Sequence, residues 1–368
     1  MCVSIAGIVT GNDTGFFLLG MAAELMSEST TYTIADVARA AGVSVSTVSR
    51  ILNGKQDVAQ ATRERVQQVI AELGYSPHAQ AQGLRAGRTR NIALLFPLKY
   101  PGTLPYNSLE TDFIIGAAAA AADRNYFFSL VTTQVTKDSL IGLYRSAQID
   151  GLVLMHIHTQ DWRVDLLRHK NYPFVMIGHC ADNTGLNFID LDFEAVVQTA
   201  FDHVIELGHQ RIGFLALPAE MRLRGFGPAV RAWEGYEKAL KHHRLSPLYR
   251  EVGYEASDIF AATLELLDEQ PGLTAIVTTH EFAALSIIQA LKLRGRSVPD
   301  DCSLVALMTE RIAALSMPPT THLDFPSHTM GYRAVEMLLR KLEGELKEPE
   351  QILLPPQLVI RDSTMPLR

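Results

Sequence analysis

The sequence predicts an α/β protein in which a small all-helical module precedes two doubly wound parallel sheets. Apolar residues recur at helical spacing three times within residues 33–75. From Asn91 onward, short apolar runs alternate with helical stretches. The charge also changes sign where the first pattern gives way to the second. At 368 residues the chain exceeds one ordinary domain, and with 47% apolar and 20% charged residues it carries enough hydrocarbon for more than one core. Wholesale disorder is excluded.

In the first run Ile34, Val37, Ala38 and Ala41 lie on one helical face, and Gly42 stops them. Ser44 caps the second run, in which Val48, Ile51 and Leu52 point one way while Val45, Ser46, Ser49 and Arg50 face out. Val66, Val69, Ile70 and Leu73 repeat the spacing before Gly74. The stretch Ile34 to Asn53 therefore reads as a helix-turn-helix. A first helix braces across phosphates, a tight turn follows, and a second helix offers small polar and basic side chains to the major groove. An αα-hairpin within some helical domain shares this spacing; the polar outer face and the local charge favour the DNA-binding reading.

That charge is unevenly spread. Residues 31–90 carry eight basic side chains (Arg39, Arg50, Lys55, Arg63, Arg65, Arg85, Arg88, Arg90) against four acids (Asp36, Asp57, Glu64, Glu72), a balance of +4. Residues 1–30 stand at −3, so the net −7 of the chain leaves −8 on the remaining 278 residues. A basic module ahead of an acidic body points to one end attracted to a polyanion.

The later apolar runs read as buried parallel strands at residues 91–96, 127–132, 151–155, 174–177, 211–217, 275–278 and 303–307. Helical candidates lie between them, among them 193–207, 234–242 and 282–294, and the alanine run 117–122 reads as a helix packed closely on its neighbour. Repeated βαβ gives sheets with helices on both faces, and two sheets are needed to place all the strands.

Cys2, Cys180 and Cys302 are too few and too far apart for a disulfide framework or a thiolate metal site, which fits a reducing cytoplasm. No run reaches the 18 apolar residues of a membrane span. The leader 1–30 contains the apolar stretch Phe16 to Met26, but no Lys or Arg precedes it, so it lacks the basic start of a secretory signal. Residues 1–25 are expected to lie outside the functional protein, with translation starting at Met26.

TIADVARAAGVSVSTVSRILN, followed by TRERV and AELGYSP, LGHQRIGFLA from Leu207, VPDDCSLVAL from Val298 and PPTT at Pro318 to Thr321, together resemble the lactose/galactose repressor (LacI/GalR) family over residues 31–368. The resemblance implies a helix-turn-helix domain at 31–76, a hinge helix at 77–90 and a body at 91–368 like the periplasmic sugar-binding proteins. Within the DNA-binding set, Val45, Ser46 and Arg50 would read base edges and Thr47, Ser49 and Asn53 would hold phosphates, with Thr33 and Ser44 beside them. Leu84, in the stretch SPHAQAQGLR, occupies the place of a leucine that wedges into the minor groove, and Gly83 suits a hinge that orders only on binding. A plain flexible linker is the alternative there.

For the body the resemblance implies two subdomains, 91–190 with 323–342 and 191–322 with 343–368, and an effector in the cleft between them. Two carboxylates usual in the family are missing: Thr279-His280 stands for Asn-Asp, and Ala306-Leu307-Met308 for Gly-Tyr-Asp. The usual arginine is Ala232, with Arg231 one place earlier. The run Met155 to Arg163 is similar to a subgroup that senses glucosides. The candidate effector set is Tyr106, His156, Asp161, Arg163, His179, Arg231, Tyr254 and His280, and Trp162 reads either as a stacking face or as a helix-cap aromatic. His156 and His158 invite a metal reading, but no further ligands accompany them; neither metal nor cofactor is expected.

These features point to a cytoplasmic transcription repressor without enzymatic chemistry. Its expected partners are a palindromic double-stranded DNA operator, a second copy of the chain and a small effector, with no membrane. A homodimer follows because one helix-turn-helix makes few contacts, and no heptad tail follows VIRDST to build a tetramer. The expected effector is a neutral or acidic carbohydrate derivative, an oligosaccharide or glucoside rather than a bare hexose, with a non-sugar effector as the alternative. An enzyme on a Rossmann-like fold is the rival from another class, but no P-loop, GxGxxG or GxSxG occurs. A periplasmic solute-binding protein is opposed by the lack of a signal peptide.

Overall fold

The computed structural model describes residues 32–52, 55, 57–75, 88–96 and 108–367. It forms two compact units, residues 1–85 and 86–368. The leader 1–30, Asn53, hinge residues 77–87 with Leu84, and Tyr106 lie outside the described residues.

In the first unit, α1 (Ile34–Ala41), α2 (Val45–Leu52) and α3 (Gln60–Leu73) follow the three apolar runs. Thr33 starts α1 through a capping box: its hydroxyl meets the amide and carboxylate of Asp36, whose side chain in turn accepts from the Thr33 amide. Gly42 ends it at φ 64°, a left-handed conformation that costs glycine no Cβ clash and turns the chain sharply into α2. Val37, Ala38, Ala41, Val48, Ile51 and Val66 form the core.

The second unit holds two six-stranded sheets. The first contains β1 (Asn91–Leu95), β2 (Phe127–Val131), β3 (Gly151–Leu154), β4 (Phe174–Ile177), β5 (Phe188–Leu191) and β11 (Gln351–Leu354), in the order β11-β5-β4-β3-β1-β2, all parallel. The second contains β6 (Ile212–Ala216), β7 (Tyr249–Glu251), β8 (Ala275–Thr278), β9 (Ser303–Met308), β10 (Thr321–Asp324) and β12 (Leu358–Val359), in the order β12-β10-β9-β8-β6-β7. Only β12 runs antiparallel.

Helices cover both faces of each sheet. On the first, α4 (Ser108–Asp123) and α13 (Ser327–Glu343) lie on one side, and α5 (Lys137–Arg145) and α6 (Trp162–His169) bury Leu140, Val164 and Leu167 on the other. On the second, α7 (Phe193–Glu206) and α9 (Gly227–His243) lie on one side, with α10 (Ala256–Glu269) and α11 (Ala283–Leu293) opposite. The short helices α8 (Ala219–Leu223) and α12 (Glu310–Leu315) complete the body. The alanine-rich face of α4 packs closely on α13: a Cβ at Gly331 would lie 2.2 Å from the carbonyl oxygen of Phe113, and one at Gly116 2.0 Å from that of His328.

The chain crosses between the sheets after Leu191, after Asp324 and after Leu354. The third crossing corrects the subdomain boundaries expected from the sequence, which gave residues 343–368 to the second subdomain. The chain first returns as β11, parallel to β5, before entering the second sheet as β12. Likewise β10, assigned in part to the first subdomain, pairs with β9.

Candidate DNA-reading helix and effector cleft

Helix α2 buries Val48 and Ile51 and turns Val45, Ser46 and Arg50 outward. Val45 is 38% exposed, too open to be a core residue of this unit. The Arg50 side chain is 62% exposed, and its 3.7 Å approach to the equally open Asp57 is weak enough to break on meeting DNA. Ser49 and Thr47 are half-buried beside it. The Ser44 hydroxyl caps the helix, accepting from the Thr47 amide at 3.1 Å and meeting the hydroxyls of Ser46 at 2.7 Å and Thr47 at 2.8 Å. Thr33 is exposed, with its hydroxyl directed to Asp36.

In the body, the carboxyl ends of strands from both sheets converge on a cavity of about 350 Å³. In doubly wound sheets this is where ligands bind, because side chains of successive loops meet there and the strand order reverses nearby. Met155 and His156 follow β3, Gly178 follows β4, Leu217 follows β6, Tyr254 follows β7, and Thr279 to Phe282 follow β8. Phe113, Phe193, Leu307 and Phe325 supply apolar wall.

Three of the candidates line this cavity: His156, Tyr254 and His280. His156 Nε2 lies 3.0 Å from Glu110, which also faces the cavity. Burial, with Glu110 nearby, pushes the Tyr254 phenol up, so it stays protonated, and its hydroxyl reaches Met221 Sδ at 3.6 Å. His280 is 3% exposed and donates from Nε2 to the Ala216 carbonyl at 3.0 Å. That bond fixes the tautomer with Nδ1 as an acceptor. Burial lowers the His280 pKa against a smaller opposing pull from the Ala216 carbonyl.

His179 and Arg231 stand one layer back, on either side of Asp190. His179 donates from Nδ1 to Asp190 at 2.7 Å; Arg231 donates to the His179 carbonyl at 2.8 Å and lies 3.9 Å from Asp190, itself a lining residue. The Arg231 side chain comes from the second subdomain, so it ties the two together across the cleft.

Asp161 and Arg163 do not line the cavity, contrary to expectation. Arg163 donates to both oxygens of Asp161, at 2.9 and 2.6 Å, and to the carbonyls of Met155 and His156 at 3.1 and 2.9 Å. A buried guanidinium needs such a full set of acceptors, and this one finds them behind the wall. Burial pushes the Asp161 carboxyl up, but hydrogen bonds from Arg163 and His158 outweigh it and hold the group well below the usual carboxylate range. The pair therefore holds the loop that presents His156. Met308, expected to replace a pocket carboxylate, points instead into the core between the second sheet and α11. Trp162 opens α6 and is 41% exposed.

Sequence reasoning missed Glu110, Asp190, Glu281 and Phe226. Asp190 had a signal, a lone carboxylate inside the apolar run FIDL; Glu110 had none. Phe226 lies with His156 and His158 at ring distances of 6.2 and 6.0 Å. Around it the subdomains form a short antiparallel clasp, in which Thr159 donates to the Gly225 carbonyl at 2.7 Å and Gly227 to that of Ile157 at 2.9 Å. Among the described residues no group of three or more His, Cys, Asp or Glu is placed to hold a metal, and no helix is long and apolar enough to cross a membrane.

The family model described as bacterial regulatory proteins of the lacI family matches residues 33–78, and that of the periplasmic binding protein-like domain matches residues 201–364. The transcriptional regulator MalR of Streptomyces coelicolor is 30% identical over 351 residues, which cover 90% of this chain and 96% of that protein. The chain belongs to the LacI family. Two solved structures are similar to it. The lac repressor dimer bound to operator and the anti-inducer ONPF is 26% identical, with a TM-score of 0.79 over 91% of this chain and 100% of that one. The CelR–cellobiose complex is 28% identical, with a TM-score of 0.66 over 90% of this chain and 99% of the other. As a LacI-family member the chain is a DNA-binding transcriptional regulator.

Proposed function

We propose that this regulator represses transcription as a cytoplasmic homodimer on a palindromic operator and that a carbohydrate bound in the cleft controls its affinity for DNA. The observation that carries the DNA half is the outward row Val45, Ser46 and Arg50 on a helix anchored by Val48 and Ile51. Side chains so placed reach base edges in the major groove, while Thr47, Ser49 and Asn53 serve phosphates, which are the same at every sequence. Leu84 is proposed as the minor-groove wedge.

The effector half is supported by a cavity walled by both subdomains, whose closing contacts include the clasp and Arg231. A ligand that touches both walls changes the balance between open and closed clefts, and only such differential contact can shift the equilibrium. The likeness to a CelR–cellobiose complex and to a lac repressor bound to operator favours a sugar over other small molecules. Fluorescence anisotropy with a palindromic duplex selected from a random library tests the reading. The expected result is tight binding to the selected duplex, weak binding to random DNA, and a change of the former alone when the right saccharide is added.

A further inference from the structure

We propose that the effector is an uncharged glycoside whose aglycone is an apolar ring, with the ring seated on the Phe325 cluster and a sugar hydroxyl donating to His280. The proposal rests on the reading of the cleft as a carbohydrate site and narrows it. Phe325 meets Phe113 edge-to-face at 5.8 Å and 87°, and Phe193 at 5.9 Å and 61°; all three face the cavity beside Leu307 and Met330. This floor offers no hydrogen bond. A bare saccharide resting on it would give up water around its hydroxyls without replacement, whereas an apolar ring gains by leaving water and by an edge-to-face contact.

The polar end is equally specific. His280 Nδ1 and Thr279 Oγ1 are buried, side by side after β8, and neither has a hydrogen-bond partner among the described residues. With Nε2 committed as a donor to Ala216, Nδ1 only accepts, while the threonine hydroxyl both donates and accepts. Adjacent hydroxyls of a sugar match this pair, and a buried acceptor left unmatched is costly.

Charge selects against an anion. The described lining carries the carboxylates of Glu110, Asp190, Glu220 and Glu281 against one arginine, Arg224, which is paired to Glu220, and the imidazoles of His156, His158 and His280. Glu110 and Asp190 are partnered by His156 and His179, so the cleft does not require a cation either.

The test is calorimetry on the full chain with matched phenyl and methyl glycosides of gluco, galacto and manno configuration, phenyl glucuronide and phenethylamine. In at least one configuration the phenyl glycoside should bind tenfold or more tighter than the methyl one, and the uronide should bind at least tenfold more weakly than the phenyl glucoside. Phe325→Leu should bring the phenyl-to-methyl ratio below threefold, and His280→Phe should weaken both members of the pair alike. Should either variant fold poorly, the wild-type ratio still decides. Methyl glycosides binding as well as phenyl ones, or preferred binding of the uronide or the amine, would overturn the proposal. The first of these leaves the carbohydrate reading standing; a chain that binds a purine and no glycoside ends both.

Discussion

Arg50 projects from α2 and, among the described residues, forms a loose ion pair with Asp57, so it is available for bidentate contact with a guanine edge. Arg50→Ala should cost roughly 1–3 kcal/mol on the cognate duplex and relax base preference at one position, while Ser49→Ala should weaken all sequences alike. Anisotropy titrations on cognate and random duplexes check this; equal losses of Arg50→Ala on both would remove Arg50 from the reading set. His209 is buried and donates from Nε2 to the Met365 carbonyl at 3.1 Å, tying α7's end to the C-terminal segment. Burial lowers its pKa against a smaller opposing effect of that carbonyl. A histidine with a depressed folded pKa is neutral when folded, so its share of stability is intact above the unfolded value near ~6.5 and declines as pH falls below it. Urea unfolding at pH 7.5 and 6.0 should show lower stability at 6.0, with a smaller difference in His209→Gln.

At the scale of elements, the clasp between residues 157–159 and 225–227 joins the two walls of the cleft by two backbone hydrogen bonds. A Cβ on Gly227 would meet the Ile157 carbonyl oxygen at 2.9 Å and Arg231 Nη1 at 2.5 Å. Gly227→Ala should therefore weaken effector binding by about 1–3 kcal/mol and leave DNA affinity without effector intact, as measured by calorimetry and anisotropy. Gly331→Ala, which forces α13 off α4, should lower the stability of the body by about 1–3 kcal/mol in urea. Of the strands that were legible, β1, β3, β4, β6, β8 and β9 are continuous apolar runs because helices bury both their faces, and β2 is an apolar run at the sheet edge, where Phe127 is left exposed. Those missed carry polar residues that their partners make tolerable. In β10 (THLD), Thr321 and His322 are fully buried but hydrogen-bonded, and in β5 Asp190 is buried against His179. The outward row Val45, Ser46 and Arg50, proposed to read DNA, was legible because exposure follows helical period. The effector set was only partly so, since Asp161 and Arg163 satisfy each other out of the cavity and no local pattern announces that.

On the scale of the molecule, a basic reading unit and an acidic body divide attraction to DNA from solubility, so operator affinity should fall steeply as salt rises. Pairing two reading units on one palindrome supplies the contacts that one lacks, and light scattering at micromolar concentration should give a dimer. A stable monomer would contradict that. The most direct test of the account is a single titration, the full chain against its selected palindromic duplex at fixed salt, with and without saturating glycoside. Tight, sequence-selective binding is expected, shifted at least tenfold by the glycoside, with random DNA unaffected; binding equal on both duplexes, or indifferent to every small molecule that occupies the cleft, would overturn the reading of this chain as an effector-controlled repressor.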